Sequence, residues 1–176
     1  MVLIENSSLT NKNKKIMKMK FSLLLAICLL TFSTLSAKDK DVSMRYDIEC
    51  AGTGAEGTYL IKVWAYSKKN KVETNILKKN AVHGVIFKGF AGERGCTSQK
   101  PLASSPGLEQ EKADFFQPFF SDNGDYLKYA TIVSGSTETI KLGKEYKVGI
   151  TVTVSKDLLR KDLEAAGVIR GLSSGF

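Results

Sequence analysis

With 176 residues, 43% of them hydrophobic and 25% charged, the chain has the composition of one ordinary globular domain. That excludes a wholly disordered protein and one embedded throughout in a membrane. Of the formal charge of +8, residues 1–37 carry five lysines and one glutamate, a net +4, which leaves +4 for the remainder. Those Lys and Arg residues are scattered among Asp and Glu with no basic run interleaved with stacking aromatics, so nucleic acid is not an expected partner.

Lys12, Lys14, Lys15, Lys18 and Lys20 precede an apolar run of 12 residues, Phe21 to Phe32 (FSLLLAICLLTF). A permanent membrane helix needs about 20 apolar residues, so the run reads as a cleaved export signal, with residues 1–16 an over-extension ahead of a start at Met17 or Met19. Small residues Ser33, Thr34, Ser36 and Ala37 place the cut after Ser36 or Ala37. The expectation is a signal peptide over 1–37 and a single secreted domain over 38–176, in the periplasm or at the outer membrane. Ile27 stands where a lipoprotein has a small residue, which argues against acylation of Cys28. Cys50 and Cys96 remain, and in an oxidising compartment they are either one disulfide or two buried thiols.

Val42 to Ala51 (VSMRYDIECA) alternates roughly and ends at Gly52-Thr53-Gly54, and Thr58 to Ser67 (TYLIKVWAYS) is dense in β-branched and aromatic residues. Two strands joined by a glycine turn are expected. In the second, Ile61, Val63 and Ala65 face one way, and Leu60, Lys62, Trp64 and Tyr66 the other. The Trp64 side is expected to be covered by a later element. From Val72 to Lys88, Leu77, Ala81, Gly84, Val85 and Lys88 recur at helical spacing, widened by Ile76, Val82 and Ile86. Ala81 and Gly84 allow close approach to the strands, and Gly89 ends the helix.

Phe90 to Pro106 has no sustained period, and a connection of that length in a small domain is often functional. Gly107 to Phe120 (GLEQEKADFFQPFF) reads as a second helix that Pro118 kinks or stops. After the turn Ser121 to Asp125, Tyr126 to Ser134 reads as a strand, continued by Thr137 to Leu142 past a bend at Gly135. In Glu145 to Val154, Tyr146, Val148, Ile150, Val152 and Val154 alternate with polar residues and glycine. Ser155 then caps a helix, Lys156 to Ala166, that stops at Gly167. The order β-β-α-α-β-β-α predicts an α+β fold, an antiparallel four-stranded sheet with helices packed on one face.

Four features span Gly52 to Leu163: the Gly-x-Gly after the first strand (Gly52, Gly54), the Ala81-Val82 helix, the Tyr146-x-Val-x-Ile-x-Val-x-Val154 strand and the helix bearing Leu158, Leu159 and Leu163. In these the chain resembles the secreted α+β domains of the twenty-kilodalton lipoprotein and flagellar-assembly T amino-terminal families. The resemblance implies an envelope module that acts through protein contacts, and it carries no catalytic motif across. The long loop after Gly89 and the Phe-rich segment depart from the pattern.

His83 is the single histidine. A Ser-His-Asp or Cys-His relay would have to use it, with Cys96, Ser98, Ser104 or Ser105 as nucleophile. Between Val82 and Gly84 it reads more simply as a partly exposed helix residue. Cys50, Cys96 and His83 lack the paired spacing of structural zinc. Asp122, Asn123 and Asp125 resemble the start of a calcium loop, but its twelfth position, which needs a bidentate Glu, is Val133. Gly92-Glu93-Arg94-Gly95 lacks the Lys-Ser/Thr of a phosphate loop. No metal or cofactor is expected.

The densest unusual feature is Phe115, Phe116, Phe119 and Phe120, with Tyr126 and Tyr129. These aromatics are expected to cover the Trp64 face. Four Phe within six residues cannot all point inward from one helix, which leaves Phe116 or Phe120 available; the partner surface is expected on Phe115, Phe116, Phe119 and Phe120 with Arg94 of the Phe90 to Pro106 loop. The resulting expectation is a non-enzymatic protein-binding or structural module of the cell envelope. It binds another envelope protein and is associated peripherally with the outer membrane or cell wall. The alternative is a small periplasmic hydrolase using His83 with Cys96 or a loop serine.

Overall fold

The computed structural model describes residues 45–92 and 95–171; the export segment and Arg94 lie outside the described residues. In chain order it contains β1 (Tyr46–Gly52), β2 (Tyr59–Ser67), α1 (Thr74–Phe87), α2 (Leu108–Glu111) and α3 (Ala113–Phe119). There follow a 3-10 turn (Asp125–Tyr129), β3 (Ala130–Ile132), β4 (Glu138–Leu142), β5 (Glu145–Val154) and α4 (Lys156–Ala165). All pairings are antiparallel, in the order β1-β2-β5-β3, with β4 also paired to β5. Asp39–Phe176 makes up one compact unit.

The fold is α+β with an antiparallel sheet, but it has five strands where four were expected, and the order is β-β-α-α-α-β-β-β-α. Two local causes account for the difference. Tyr126 and Tyr129 are both buried, at 1% and 4% exposure. Three residues apart, they would face opposite ways in a strand, whereas a 3-10 turn stacks i and i+3 on one side, so Asp125–Tyr129 coils. Further on, Ile132 lies opposite Val152 and Glu138 opposite Gly149, six residues of advance against three on β5. The surplus loops out between β3 and β4. Ser136 fills the gap in the ladder, its hydroxyl accepting from the Thr151 N–H (2.9 Å) and donating to the Val133 carbonyl (2.6 Å).

The expected helix over 107–120 is two helices, parted at Lys112, whose φ of −113° and ψ of 35° leave the helical region. Pro118 sits in the last turn of α3, which ends one residue later. Ser155 occupies the N-cap position of α4 without the expected side-chain cap bond. Its own N–H donates to the Tyr129 carbonyl at 2.9 Å. The long connection is tied down: Phe90 and Gln99 exchange two backbone hydrogen bonds, and the N–H groups of Leu102 and Ala103 donate to the carbonyls of Val85 and Ile86.

Paired residues of an antiparallel ladder share a face, so Ile48, Val63 and Ile150 line up on one side with Cys50, Ile61 and Val152. Leu77, Ala81, Val82, Val85 and Ile86 of α1, Phe116 and Phe119 of α3, and Leu159 and Leu163 of α4 join that side in a single core. Helices therefore cover the Ile61–Val63–Ala65 face, and the Phe-rich segment packs there too, not over Trp64 as expected. The physical reason is desolvation. Burying an aliphatic side chain is worth roughly 1.5–3 kcal/mol, while covering the other face would strip water from Asp47, Glu49, Lys62 and Lys147. Gly84 lets α1 approach β1: a Cβ there would lie 2.7 and 2.9 Å from Cδ1 and Cγ2 of Ile48.

Candidate functional site

His83 projects from α1 toward the start of β1. Its Nε2 is 3.2 Å from a carboxylate oxygen of Glu109 in α2, and its Nδ1 is 2.5 Å from the Tyr46 hydroxyl. A carboxylate only accepts, so Nε2 bears the proton, Nδ1 is the acceptor and the Tyr46 hydroxyl donates to it. Phe87 and Phe120 lie against the imidazole, with ring centroids 4.7 and 5.4 Å away. Lys88 donates to the Tyr46 carbonyl at 2.7 Å and its ammonium sits 3.6 Å above the Tyr46 ring. Burial holds the imidazole below its ordinary 6.5 against the opposing pull of Glu109, and Lys88 adds to the depression. Burial, reinforced by Glu109, raises the Tyr46 phenol, and burial lowers Lys88.

This Glu109–His83–Tyr46 chain has the connectivity of an acid-base-nucleophile relay, but Tyr46 is 4% exposed and held protonated. The group joins β1, α1 and α2 and keeps a neutral histidine between two partners. Neither Ser98, Ser104 nor Ser105 is a partner of His83. Cys96 is disulfide-bonded to Cys50, with Cα atoms 6.3 Å apart, so it offers no thiol. Cys50 lies four residues along β1 from Tyr46, about 13 Å at strand rise. No local pattern in the sequence ties Tyr46 or Glu109 to His83, because the three are brought together only when α1 packs on β1 and α2 folds back against α1.

The aromatic segment divides. Phe116 and Phe119 are buried, at 2% and 5% exposure, Phe116 against Phe87 and Phe119 stacked on Tyr129. Phe116 is thus a core residue, so of the two side chains expected to remain available, Phe116 or Phe120, it is not the one. Phe115, stacked on Phe119, and Phe120, against His83, are half-buried. Beside the disulfide, a cavity of about 450 Å³ opens between the glycine turn at 52–57 and the loop, walled by Tyr59, Phe90, Gln99 and Lys156. A second, of about 540 Å³, lies over Leu77, Val148 and Ile150, with Asn70, Lys71 and Glu73 at its rim. His83 lines neither. Among the described residues no group of three His, Cys, Asp or Glu side chains is placed to share a cation.

The uncovered face of the sheet is organised around Trp64. Its ring lies across Gly149, its register partner on β5, where a Cβ would fall inside the ring's van der Waals surface. The indole N–H donates to Glu49 at 2.8 Å, and the ammoniums of Lys62 and Lys147 stand 5.0 and 4.9 Å from the ring centre. Lys62 is paired with Glu138 of β4, the Tyr66 hydroxyl donates to Asp47, and Arg45 makes a bidentate pair with Glu145. The central part of this face is thus satisfied by its own charges. Its β4 margin is not: Ile140 and Leu142 are 45% and 47% exposed, and Val133, just past β3 and farther along the same side of β5, is 38% exposed. These are three of the four exposed large hydrophobic side chains among the described residues; the fourth is Leu158 on α4. Every residue of β4 is exposed, and among the described residues no helix packs over it.

No protein-family model, no curated protein and no solved structure matches the chain. Among the described residues no helix is long and apolar enough to cross a membrane.

Proposed function

We propose that this chain is a non-enzymatic protein-binding module of the bacterial cell envelope, exported by the signal over 1–37, and that its contact surface is the β3–β4 edge of the sheet. The observation that carries this reading is the pair Ile140 and Leu142, apolar side chains left in water on one face of β4, which no described helix covers, with Val133 exposed farther along the same margin. Leaving neighbouring large aliphatic side chains exposed on one edge strand is what a contact surface requires, and single exposed apolar residues elsewhere need no such account. The Phe-rich segment contributes little to this surface, since its two central rings support the core. The hydrolase alternative loses its sulfur nucleophile to the disulfide, and both nitrogens of His83 are already engaged.

The test is affinity capture from native envelope, with any protein retained identified, purified and titrated against the domain. The wild type is compared with the Ile140→Asp/Leu142→Asp double variant and with Phe120→Ala, each checked for native circular dichroism. Binding lost in the β4 variant alone supports the reading. Binding lost in Phe120→Ala alone returns the surface to the aromatic segment, and equal binding by all three defeats the edge as a contact surface.

A further inference from the structure

Resting on that protein-binding reading, we infer that the partner presents an extended segment alternating apolar and acidic residues, which adds to β4 as a sixth strand. Among the described residues β4 is hydrogen-bonded on one side only, to β5, and it is joined to β5 by the two-residue turn Gly143-Lys144. Gly143 has φ +61°, the left-handed first position of a II′ hairpin turn. Such a turn closes on the hydrogen-bonded pair Leu142 and Glu145. By antiparallel alternation, Ile140 and Glu138 also direct their N–H and C=O groups to β5, while Thr139 and Lys141 direct theirs outward. The free edge therefore offers two donors and two acceptors at the spacing a strand matches.

The side chains specify what that strand carries. Ile140 and Leu142 share the Trp64 face with their register partners Lys147 and Glu145, and Thr139 and Lys141 share the helix face with Val148 and Tyr146. Neighbours across a ladder lie on one face and interact in pairs. Apolar side chains of the added strand meet Ile140 and Leu142, and carboxylates meet Lys141. Lys141 and the turn residue Lys144 make no ion pair among the described residues. A second copy of this chain fits less well: paired antiparallel, its β4 has only Thr139 and Lys141 on the face of Lys141, and no carboxylate there.

The experiment titrates the isotopically labelled domain Asp39–Phe176, a compact unit by itself, with a capped octapeptide alternating valine and glutamate and with its valine-lysine counterpart. The acidic peptide is expected to shift and protect the amides of Thr139 and Lys141 and to bind better than the basic one. Thr139→Pro removes an outward donor while leaving the ladder to β5 intact, and weakens binding about tenfold. Lys141→Glu weakens it up to about fivefold and reverses the charge preference; should the proline variant misfold, this variant still decides. Undiminished binding by Thr139→Pro, equal or better binding of the basic peptide, or no amide shift at millimolar acidic peptide each overturns the inference. So does a dimer in sedimentation that Thr139→Pro abolishes, which assigns the edge to a second copy. If the captured envelope partner is lost on Ile140→Asp/Leu142→Asp but kept by Thr139→Pro, strand addition fails while the protein-binding reading stands. If neither variant affects capture, both fail.

Discussion

Gly84→Ala sets two effects of known size against each other at the α1–β1 contact. In a helix interior alanine is favoured over glycine by roughly 0.8–1.0 kcal/mol. Here the new Cβ lies 2.7 Å from Cδ1 and 2.9 Å from Cγ2 of Ile48, well inside the 3.5–4.0 Å or so of an unstrained carbon contact. Ile48 is β-branched and stiff at χ1, so both γ-carbons cannot swing away together, and overpacking of this kind costs about 1–3 kcal/mol. The net effect of Gly84→Ala is a loss of about 1 kcal/mol. In an Ile48→Ala background the obstructing atoms are gone, and the same substitution then stabilises by about 1 kcal/mol, a coupling of about 2 kcal/mol between the sites. Urea unfolding of the four proteins with the disulfide intact, at constant m-value, measures each step of this cycle. A Gly84→Ala change that is destabilising by the same amount in both backgrounds refutes the close-approach explanation of the glycine.

Gly149→Ala places a Cβ in the Trp64 ring and forces the indole off Glu49 and the two lysines. A loss of about 2 kcal/mol is expected, with a red-shifted emission from the chain's single tryptophan; unchanged emission would mean that the ring does not move. Because the folded protein holds His83 below 6.5, chiefly by burial, the unfolded chain binds the proton more readily. Stability is therefore full above about pH 6.5 and falls as the pH drops from there toward the lower folded value. His83→Gln should flatten this part of the urea-midpoint profile, and a wild-type profile already flat there would contradict the depression. Reduction of Cys50–Cys96, which spans 46 residues, should cost about 2–4 kcal/mol, the range in which chain entropy places such a loop. That corresponds to a fall in Tm of roughly 10 °C, and a melting temperature insensitive to reductant would show that the bridge does not constrain the unfolded chain.

Much of the fold was legible because its signals are local. The alternation of Tyr146 through Val154 marks β5, the β-branched run of Tyr59 to Ser67 marks β2, and the apolar spacing from Leu77 to Ile86 marks α1, with Gly89 at its end. Even the bend between β3 and β4 follows from Gly135 and the restart of a strand pattern at Thr137. The candidate contact edge was partly visible too: Ile140 and Leu142 alternate with Lys141 in that pattern, although nothing nearby says that no other element covers them. Tyr126–Tyr129 misled, because a strand-like composition was overridden by two tyrosines three residues apart that both needed burial.

What the sequence by itself determined is the class of each segment and the apolar face it offers, since periodicity, turn residues and caps act over a few neighbours. What only the tertiary structure decided is which face of the sheet the helices cover, that Cys50 meets Cys96, that Glu109 and Tyr46 engage His83, and that no described helix covers β4. Each of these depends on residues tens of positions apart, held together by a core that takes the aliphatic side of the sheet because the Trp64 side carries charges that burial would have to desolvate.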